Sequence, residues 1–136
     1  MSDQPAEPIR VCAVVFRDDR GRVLAVRKKG TSRFMLPGGK PEQGETARET
    51  AVREVREEIG MLIHASSLTP LGTFLAPAAN EAGCEVEGTI FTCSEAVEPK
   101  PAAEIVEVLW VDPHDPGSAG VDLAPLLERK VFPALG

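Results

Sequence analysis

The sequence GKPEQGETARETAVREVREEIGM, residues 39–61, decides the fold of the chain. Within it, Thr46 and Glu49 have the spacing of a capping box, and Gly60 suits the position just after a last helical turn. The segment therefore predicts a helix that begins after Thr46 and ends at Gly60. Its apolar side would pack against a sheet and consists of Ala47, Ala51, Val55 and Ile59, with Val52 beside them.

Three glutamates of this helix indicate its chemistry. Glu54, Glu57 and Glu58 lie at positions i, i+3 and i+4, which share one face of an α-helix and lie off the apolar stripe. Like charges at this spacing destabilise a helix by about 0.2–0.5 kcal/mol per pair, unless a cation lies among them. Carboxylate oxygens are hard ligands that suit Mg²⁺ or Mn²⁺ rather than zinc. The pattern indicates a metal-dependent enzyme whose metal-bound substrate is a phosphate ester or anhydride.

The bulk properties fit one globular domain. A length of 136 residues predicts a single domain, residues 9–136, after a flexible tail, residues 1–8. No apolar run approaches the ~20 residues of a transmembrane helix, and the polar start does not resemble a secretory signal. The net charge of −6 argues against a nucleic-acid polymer or an anionic membrane as partner. A small phosphorylated ligand held through metal remains compatible with that charge.

Cysteines and histidines offer no alternative site. Cys12, Cys84 and Cys93 show no paired spacing, which predicts reduced thiols in a cytoplasmic protein. His64 and His114 are isolated, so neither a histidine-based metal site nor a catalytic triad can be built from them. The carboxylates of residues 39–61 are therefore the candidate metal ligands.

The other elements follow from β-branched runs and turn residues. Ile9–Phe16 reads as a buried strand, and Arg22–Val26 reads as its returning partner in a hairpin. An amphipathic segment, Leu123–Val131, predicts a second helix. Three further strands are predicted at Leu71–Ala76, Glu85–Cys93 and Ile105–Val111. The order is β-β-loop-α-β-β-β-α, an α/β fold with helices packed on a mixed sheet.

Residues 39–61 resemble the Nudix box, G-x5-E-x7-R-E-U-x-E-E-x-G-U with U an aliphatic residue, and meet every position of it. A Leu-Pro-Gly-Gly sequence before the box and a Trp-Val pair after it extend the resemblance over most of the chain. The resemblance implies a Nudix α/β/α sandwich with a mixed β-sheet between helices. It also implies hydrolysis of a nucleoside diphosphate linked to another moiety, assisted by Mg²⁺ or Mn²⁺.

The resemblance also assigns roles inside the box. Glu54, Glu57 and Glu58 match the metal ligands of the family, and the carbonyl of Gly39 matches a backbone ligand. Arg53 matches the arginine that pairs with the box glutamates. Glu45 matches a glutamate that orients the helix or helps to handle a proton. The proton of the attacking water would be taken by Glu54 or by Glu104, because many members carry a functional glutamate near the place of Glu104.

Outside the box, cations are the candidates for substrate binding. Arg27 matches an arginine that can contact substrate phosphate, and plain surface exposure is the alternative reading. Arg33 and Lys40, with Lys28 and Lys29, could add positive potential over the substrate. Pro77 has the spacing described for the ADP-ribose hydrolases of the family, although residues 77–81 also read as an ordinary turn between strands. Trp110 is interpreted as a core residue.

These observations predict a Nudix-type hydrolase that cleaves a phosphoanhydride bond, with a nucleoside triphosphate favoured as substrate. The alternatives are an ADP-ribose or nucleotide-sugar pyrophosphatase and a non-catalytic nucleotide-sensing domain. Family members that hold diadenosine polyphosphates often use a tyrosine beyond the box, so the absence of tyrosine from this chain argues against that substrate. Apolar residues near the end could cover the core or join a second subunit as a homodimer, among them Leu126, Leu127 and Phe132.

Overall fold

The computed structural model describes residues 7–79 and 81–136. The predicted tail therefore lies outside the described residues except for Glu7 and Pro8, and Asn80 of the predicted turn lies outside them as well. The strands are β1 (Ile9–Val15), β2 (Val23–Lys28), β3 (Gly38–Gly39), β4 (Leu68–Pro77), β5 (Glu85–Cys93) and β6 (Ile105–Val111). The first helix, α1, is Ala47–Ile59. At the end of the chain a π-helix, Leu126–Val131, continues into one α-helical turn, Phe132–Ala134, and the two together are the C-terminal helix.

The strands form two sheets. The larger sheet has the order β3-β1-β5-β4, in which β1 is parallel to β5 and antiparallel to β3, so the sheet is mixed as predicted. The smaller sheet is the antiparallel pair β2-β6. The bounds predicted for β5 and β6 are confirmed, whereas β4 begins three residues earlier than predicted. Its early part contains Pro70 and Gly72, which a local irregularity in the pairing with β5 accommodates.

The predicted hairpin of the first two strands is wrong beyond its turn. Arg17 and Val23 form an isolated antiparallel bridge, and the N–H of Leu24 donates to the carbonyl of Phe16 over 3.0 Å. Away from this turn the two strands have different partners: β1 pairs with β3 and β5, and β2 pairs with β6. Both strands can separate because each buries both of its faces, which a two-stranded ribbon would not allow.

Two hydrophobic cores lie on opposite faces of β1 and β2. Ala13 and Val15 of β1 contribute to one core, and Val14 and Phe16 contribute to the other, as alternation along a strand requires. The first core is covered by the C-terminal helix through Leu127, Val131 and Phe132. The second core is covered by α1 through the predicted stripe of Ala51, Val55 and Ile59, each fully buried. The chain is thus an α/β sandwich, as predicted.

Helix α1 begins and ends where the sequence predicts. Thr46 accepts from the N–H of Glu49, the Glu49 carboxylate accepts from the N–H of Thr46, and Gly60 adopts the left-handed conformation with φ of 68°. A cap of this kind stabilises a helix by about 1 kcal/mol. One expectation is corrected here: Glu58 is not on an exposed face but is buried, with only 5% of its surface accessible.

The second helix begins later in the chain than predicted, and its turns are wider than those of an α-helix. Its regular part begins at Leu126 rather than Leu123, because Leu123 pairs with Phe34 as an isolated parallel bridge. The N–H of Phe132 donates to the carbonyl of Leu127, a five-residue step that opens the turn into a π-helix. Within the described part of the chain, no helix is long and apolar enough to cross a bilayer.

Candidate active site

Arg53 is the centre of the acidic side of α1. Its Nε donates to Glu45 Oε2 over 2.7 Å and its Nη2 donates to Glu45 Oε1 over 3.0 Å, a bidentate pair. Its Nη1 donates to Glu54 Oε1 over 2.9 Å and to Glu57 Oε2 over 3.2 Å. The Nη2 group also donates to the carbonyl of Lys40 over 3.0 Å. One guanidinium therefore joins the helix, two of its glutamates and the loop before it.

Glu45 is held as a carboxylate by this contact. The hydrogen bonds from Arg53 lower the pKa of the Glu45 carboxyl to about 2, with support from the backbone N–H of Glu42. Thr50, fully buried on α1, donates its hydroxyl to Glu45 Oε1 over 3.0 Å. In return, the carboxylate of Glu45 raises the pKa of Arg53 further above its ordinary value. Arg53 is consequently a fixed positive charge at this site.

The double glycine of β3 allows the sheet to approach α1. A Cβ at Gly39 would lie 2.5–2.6 Å from the three carboxyl atoms of Glu54. A Cβ at Gly38 would lie 2.2 Å from the carbonyl oxygen of Cys12 on β1. Real Cβ atoms do not approach other atoms this closely, so only glycine fits at Gly38, where the clash is with backbone, whereas a side chain at Gly39 would displace the Glu54 carboxylate. The Glu54 carboxylate thus lies directly against the backbone of Gly39.

Glu58 faces inward beneath the same glycines. Its Oε1 accepts from the N–H of Gly38 over 2.8 Å, and its Oε2 lies 3.7 Å from the ammonium of Lys28. Burial raises the pKa of Glu58 to about 7, although Gly38 and Lys28 favour the charged form, and the nearby charge of Glu54 raises it further. The buried carboxylate is therefore only partly compensated by its protein partners.

A cleft of about 380 Å³ opens beside these residues. Its polar end contains Gly38, Gly39, Glu54, Lys28 and Lys40. Its remaining walls are mainly apolar and come from β1, from the β4–β5 connection and from the C-terminal helix. Among the residues that form these walls are Ile9, Val11, Pro77, Val86 and Leu126. A concave site with an apolar body and a charged end is typical of small-molecule binding.

The predicted substrate-binding cations do not all lie at this cleft. Lys40 lines it, whereas the Arg27 side chain donates to the Glu107 carboxylate and, over 2.7 Å, to the carbonyl of Thr31. The neighbour of Arg27, Lys28, follows an irregularity in the pairing of β2 with β6, lies close to Glu58 and lines the cleft. Arg33 donates to the carbonyl of Ala79 over 3.3 Å and so contacts the β4–β5 connection.

The late-sequence candidates are placed less directly. Glu104 is exposed and does not line the cleft, but its carbonyl accepts from the N–H of Lys29 over 2.7 Å, which holds it near the end of β2. The cleft is also lined by residues of the β4–β5 connection, namely Pro77, Ala78, Ala79 and Glu81. This connection is therefore part of the candidate site. Trp110 is half-buried and packs against the core beneath α1.

The metal ligands predicted on α1 are carboxylates, whose oxygens suit a hard cation, but their side chains do not surround a single point. Across residues 7–79 and 81–136, no three acidic, histidine or cysteine side chains converge closely enough to enclose an ion. Glu58 is turned toward Gly38, and Glu54 and Glu57 share Arg53, so the expected convergence on one point is not seen. The Glu57 side chain is 53% exposed and can rotate. Glu54 and Glu58, with the backbone of Gly39, supply oxygen atoms of the kind that Mg²⁺ prefers.

Sequence reasoning missed the specific positions of Lys28, Thr50 and Leu126. Strand alternation could not have placed Lys28, because the pairing of β2 with β6 is irregular between Arg27 and Lys28. Thr50, one turn before Glu54, could have been noticed as a polar residue on the buried side of α1. No local signal could have placed Leu126 in the cleft, since that contact joins residues distant in the sequence.

Comparisons with known proteins show the family of the chain and its fold. The family model described as the NUDIX domain matches residues 7–135. A "MutT-like protein" of Streptomyces ambofaciens is 32% identical over 113 residues, which cover 82% of this chain and 68% of that protein. A Bacillus subtilis (strain 168) protein named "Putative 8-oxo-dGTP diphosphatase" is 30% identical, over 87% of this chain and 74% of its own length. The crystal structure of a MutT protein from Methanosarcina mazei Go1 superposes with a TM-score of 0.74 at 22% identity, covering 98% and 94% of the two chains, which shows a shared fold.

Proposed function

The chain belongs to the Nudix family, whose members are pyrophosphohydrolases, and we propose that it cleaves a phosphoanhydride bond of a nucleoside diphosphate-linked substrate. The observation that carries the proposal is the position of the Glu54 carboxylate, against Gly39 and at the charged end of the cleft. Lys28 and Lys40 at the same end supply the positive charge that phosphate groups require. The apolar walls beyond them suit the organic part of the substrate.

The proposed cofactor is Mg²⁺ or Mn²⁺, held by Glu54, Glu57, Glu58 and the carbonyl of Gly39. When bound, such an ion supplies charge neutralisation at phosphate oxygens and lowers the pKa of water. Arg53 would hold Glu54 and Glu57 beside each other on α1, since its other donors are anchored on Glu45 and Lys40. Rotation of the exposed Glu57 would complete the ligand set.

The remaining roles are divided among the side chains around this end of the cleft. Water attacks phosphorus in line, and Glu54 or Glu104 accepts its proton. Glu54 is the better placed of the two because it lines the cleft, whereas Glu104 does not. Lys28, Arg33 and Lys40 would attract the phosphates. Arg27 would contact phosphate only after leaving Glu107 and Thr31.

The choice of proton acceptor can be tested by comparing Glu54→Gln with Glu104→Gln. Both changes remove a charge but keep the shape of the side chain. If Glu54 is a metal ligand and the base, Glu54→Gln lowers kcat by at least a hundredfold. Glu104→Gln then lowers kcat less than tenfold, which corresponds to a rise in the activation barrier of less than about 1.4 kcal/mol. A larger loss in Glu104→Gln than in Glu54→Gln would transfer the role to Glu104.

A nucleoside triphosphate is the favoured substrate, in keeping with the name of the Bacillus subtilis relative. ADP-ribose or a nucleotide sugar is the second candidate, because Pro77 has the spacing described for the ADP-ribose hydrolases of the family and also lies on the cleft wall. The products separate them: a triphosphate yields a monophosphate and pyrophosphate, whereas ADP-ribose yields AMP and ribose phosphate. The chemistry also requires a nucleotide-containing compartment, and with three free cysteines we propose the cytoplasm.

The deciding experiment is hydrolysis of a nucleotide panel with Mg²⁺ or Mn²⁺, with the products identified by chromatography. We expect turnover that disappears on chelation of the metal. Binding of nucleotides without turnover on any of them would favour the non-catalytic nucleotide-sensing domain instead. Sedimentation of the same sample would test the predicted homodimer.

A further inference from the structure

Glu58 is a buried carboxylate whose two oxygens have different partners. Its Oε1 accepts from the N–H of Gly38 over 2.8 Å. Its Oε2 lies 3.7 Å from the ammonium of Lys28, and only 6% of the Glu58 side chain is exposed. An ion that binds Glu58 without breaking the hydrogen bond to Gly38 therefore needs Oε2, which is the oxygen that Lys28 faces.

The main chain fixes the position of Lys28. Its carbonyl accepts from the N–H of Thr31 over 3.1 Å and from the Thr31 hydroxyl over 2.8 Å. The pairing of β2 with β6 is irregular between Arg27 and Lys28. Each of these two neighbours has its own carboxylate, since Arg27 pairs with Glu107 and Lys28 pairs with Glu58. The ammonium of Lys28 is consequently a built-in positive charge beside Glu58.

Lys28 is the cation that compensates the charge of Glu58. Among the ion pairs of residues 7–79 and 81–136, Glu58 takes part in one, and its partner there is Lys28. The guanidinium of Arg53 pairs with Glu54 and Glu57 instead. A buried carboxylate that loses its cation is strongly destabilising. A divalent ion on Oε2 would take over the compensation and repel the ammonium, because like charges this close together oppose each other.

We propose that Lys28 competes with the divalent ion for Glu58 and thereby sets the metal concentration at which the site fills. This inference rests on the proposed function, because it takes Glu58 as a ligand of Mg²⁺ or Mn²⁺. On metal binding the ammonium leaves Oε2 but stays at the charged end of the cleft, which Lys28 lines together with Gly39 and Glu54. Its charge then becomes available to a substrate phosphate.

The first test measures Mn²⁺ binding to the metal-stripped protein without nucleotide, from the electron paramagnetic resonance signal of free Mn²⁺. Lys28→Met keeps the length of the side chain and removes its charge, and we expect it to lower the Kd for Mn²⁺ at least fivefold. Lys28→Arg keeps a competing cation, so its Kd should not fall below half of the wild-type value.

Lys40→Met is the matched control for this test. It removes the same charge from the same end of the cleft, but Lys40 is exposed and is not the ion-pair partner of Glu58. We expect its Kd for Mn²⁺ to stay within twofold of wild type. Equal Kd values in Lys28→Met and Lys40→Met, or no fall of the Kd in Lys28→Met, would overturn the inference.

The second test uses the wild-type chain and does not depend on the folding of a variant. Reductive methylation, quantified by peptide mass spectrometry, reports how freely each lysine amine reacts. Saturating Mg²⁺ should raise the labelling rate of Lys28 at least twofold, because metal binding releases its amine from Glu58. Lys29 is the internal control, since it is exposed and its rate should not change. A Lys28 rate that Mg²⁺ leaves unchanged or lowers contradicts the competition.

These measurements separate the inference from the proposed function, because neither of them needs turnover. If Lys28→Met binds Mn²⁺ more tightly and Mg²⁺ increases the labelling of Lys28 while no nucleotide is hydrolysed, the proposed function fails and the inference stands. If wild type hydrolyses nucleotides while Lys28→Met and Lys40→Met bind Mn²⁺ alike, the inference alone fails. Absence of Mn²⁺ binding in wild type and in every variant overturns both.

Discussion

At the scale of single residues, Arg53 holds the carboxylates of the site in position. Its planar guanidinium donates to Glu45 on one edge and to Glu54 and Glu57 on the other, so the three carboxylates take their positions from one group. A guanidinium can do this because its donors lie in a fixed fork. Arg53 therefore fixes the relative positions of the carboxylates that are proposed to hold the metal.

Replacement of Arg53 by lysine tests this role. Lys keeps the charge but has a single point of contact, so it cannot hold Glu45 and Glu54 together. We expect Arg53→Lys to lower kcat at least tenfold with a smaller change in KM. The control is Arg56→Lys, because Arg56 is exposed on the same helix. Equal kinetics of Arg53→Lys and wild type would reduce Arg53 to a surface cation.

Glu45 gives the stability of the protein a defined dependence on pH. Its pKa of about 2 in the folded protein lies below the ordinary carboxyl value, because Arg53 stabilises the charged form. A depressed pKa in the folded state means that the contribution is complete above the ordinary value, near 4.5, and is lost as the pH falls toward 2. In urea denaturation between pH 5 and 2, the free energy of unfolding should therefore fall less steeply for Glu45→Gln than for wild type.

The control for this prediction is Glu98→Gln, which removes an exposed carboxylate elsewhere. Its pH profile should match that of wild type. A Glu45→Gln profile parallel to wild type over the whole acid range would mean that the contact with Arg53 does not persist in solution.

At the scale of elements, the site depends on how closely β3 approaches α1. The N–H of Gly38 reaches Glu58, and the backbone of Gly39 touches Glu54, so two residues of strand contact two residues of helix. Such an approach needs glycine in the strand and a helix fixed at both ends by Thr46 and Gly60. The geometry of the carboxylates is thus a property of the pair of elements.

Gly39→Ala should disturb this pair with little effect elsewhere. The added methyl would lie about 2.5 Å from the Glu54 carboxylate, and the flexible glutamate would move away from the cleft wall. We expect a fall in kcat of at least tenfold while the protein remains folded, measured by steady-state hydrolysis and circular dichroism. Gly117→Ala is the control, since a Cβ there meets no atom within 4 Å. An active Gly39→Ala enzyme would argue against a catalytic position for Glu54.

The elements that the sequence predicts well are those with local signals. Helix α1 carries its capping box, its apolar stripe and its terminal glycine within one segment, and all three are confirmed. The pairing of β1 and β2 was predicted wrongly because their true partners, β5 and β6, come much later in the chain. The burial of Glu58 was missed for a similar reason: it depends on Gly38 and Lys28, which come from two other elements.

At the scale of the whole molecule, the cleft exists because the two hydrophobic cores lie on opposite faces of the same strands. Strand β1 supplies the core beneath α1 with one face and the cleft with the other, while the C-terminal helix covers only part of that second face. The box identifies the charged end from sequence. The apolar end could not be predicted, because it joins Ile9, Val86 and Leu126, which no spacing rule connects.

Metal binding should be visible as stabilisation of the whole domain. A ligand that binds only the folded state at a hundredfold excess over its Kd stabilises by about 2.7 kcal/mol. At about 4 °C per kcal/mol for a domain of this size, saturating Mg²⁺ or Mn²⁺ should raise the Tm of wild type by about 10 °C. The reason lies in Glu54 and in the partly compensated Glu58, whose oxygens the ion would neutralise. Glu57→Gln should show less than half of this shift, and Glu98→Gln should show all of it, with NaCl at equal ionic strength as the blank. Equal shifts in wild type and Glu57→Gln would place the ion elsewhere on the protein.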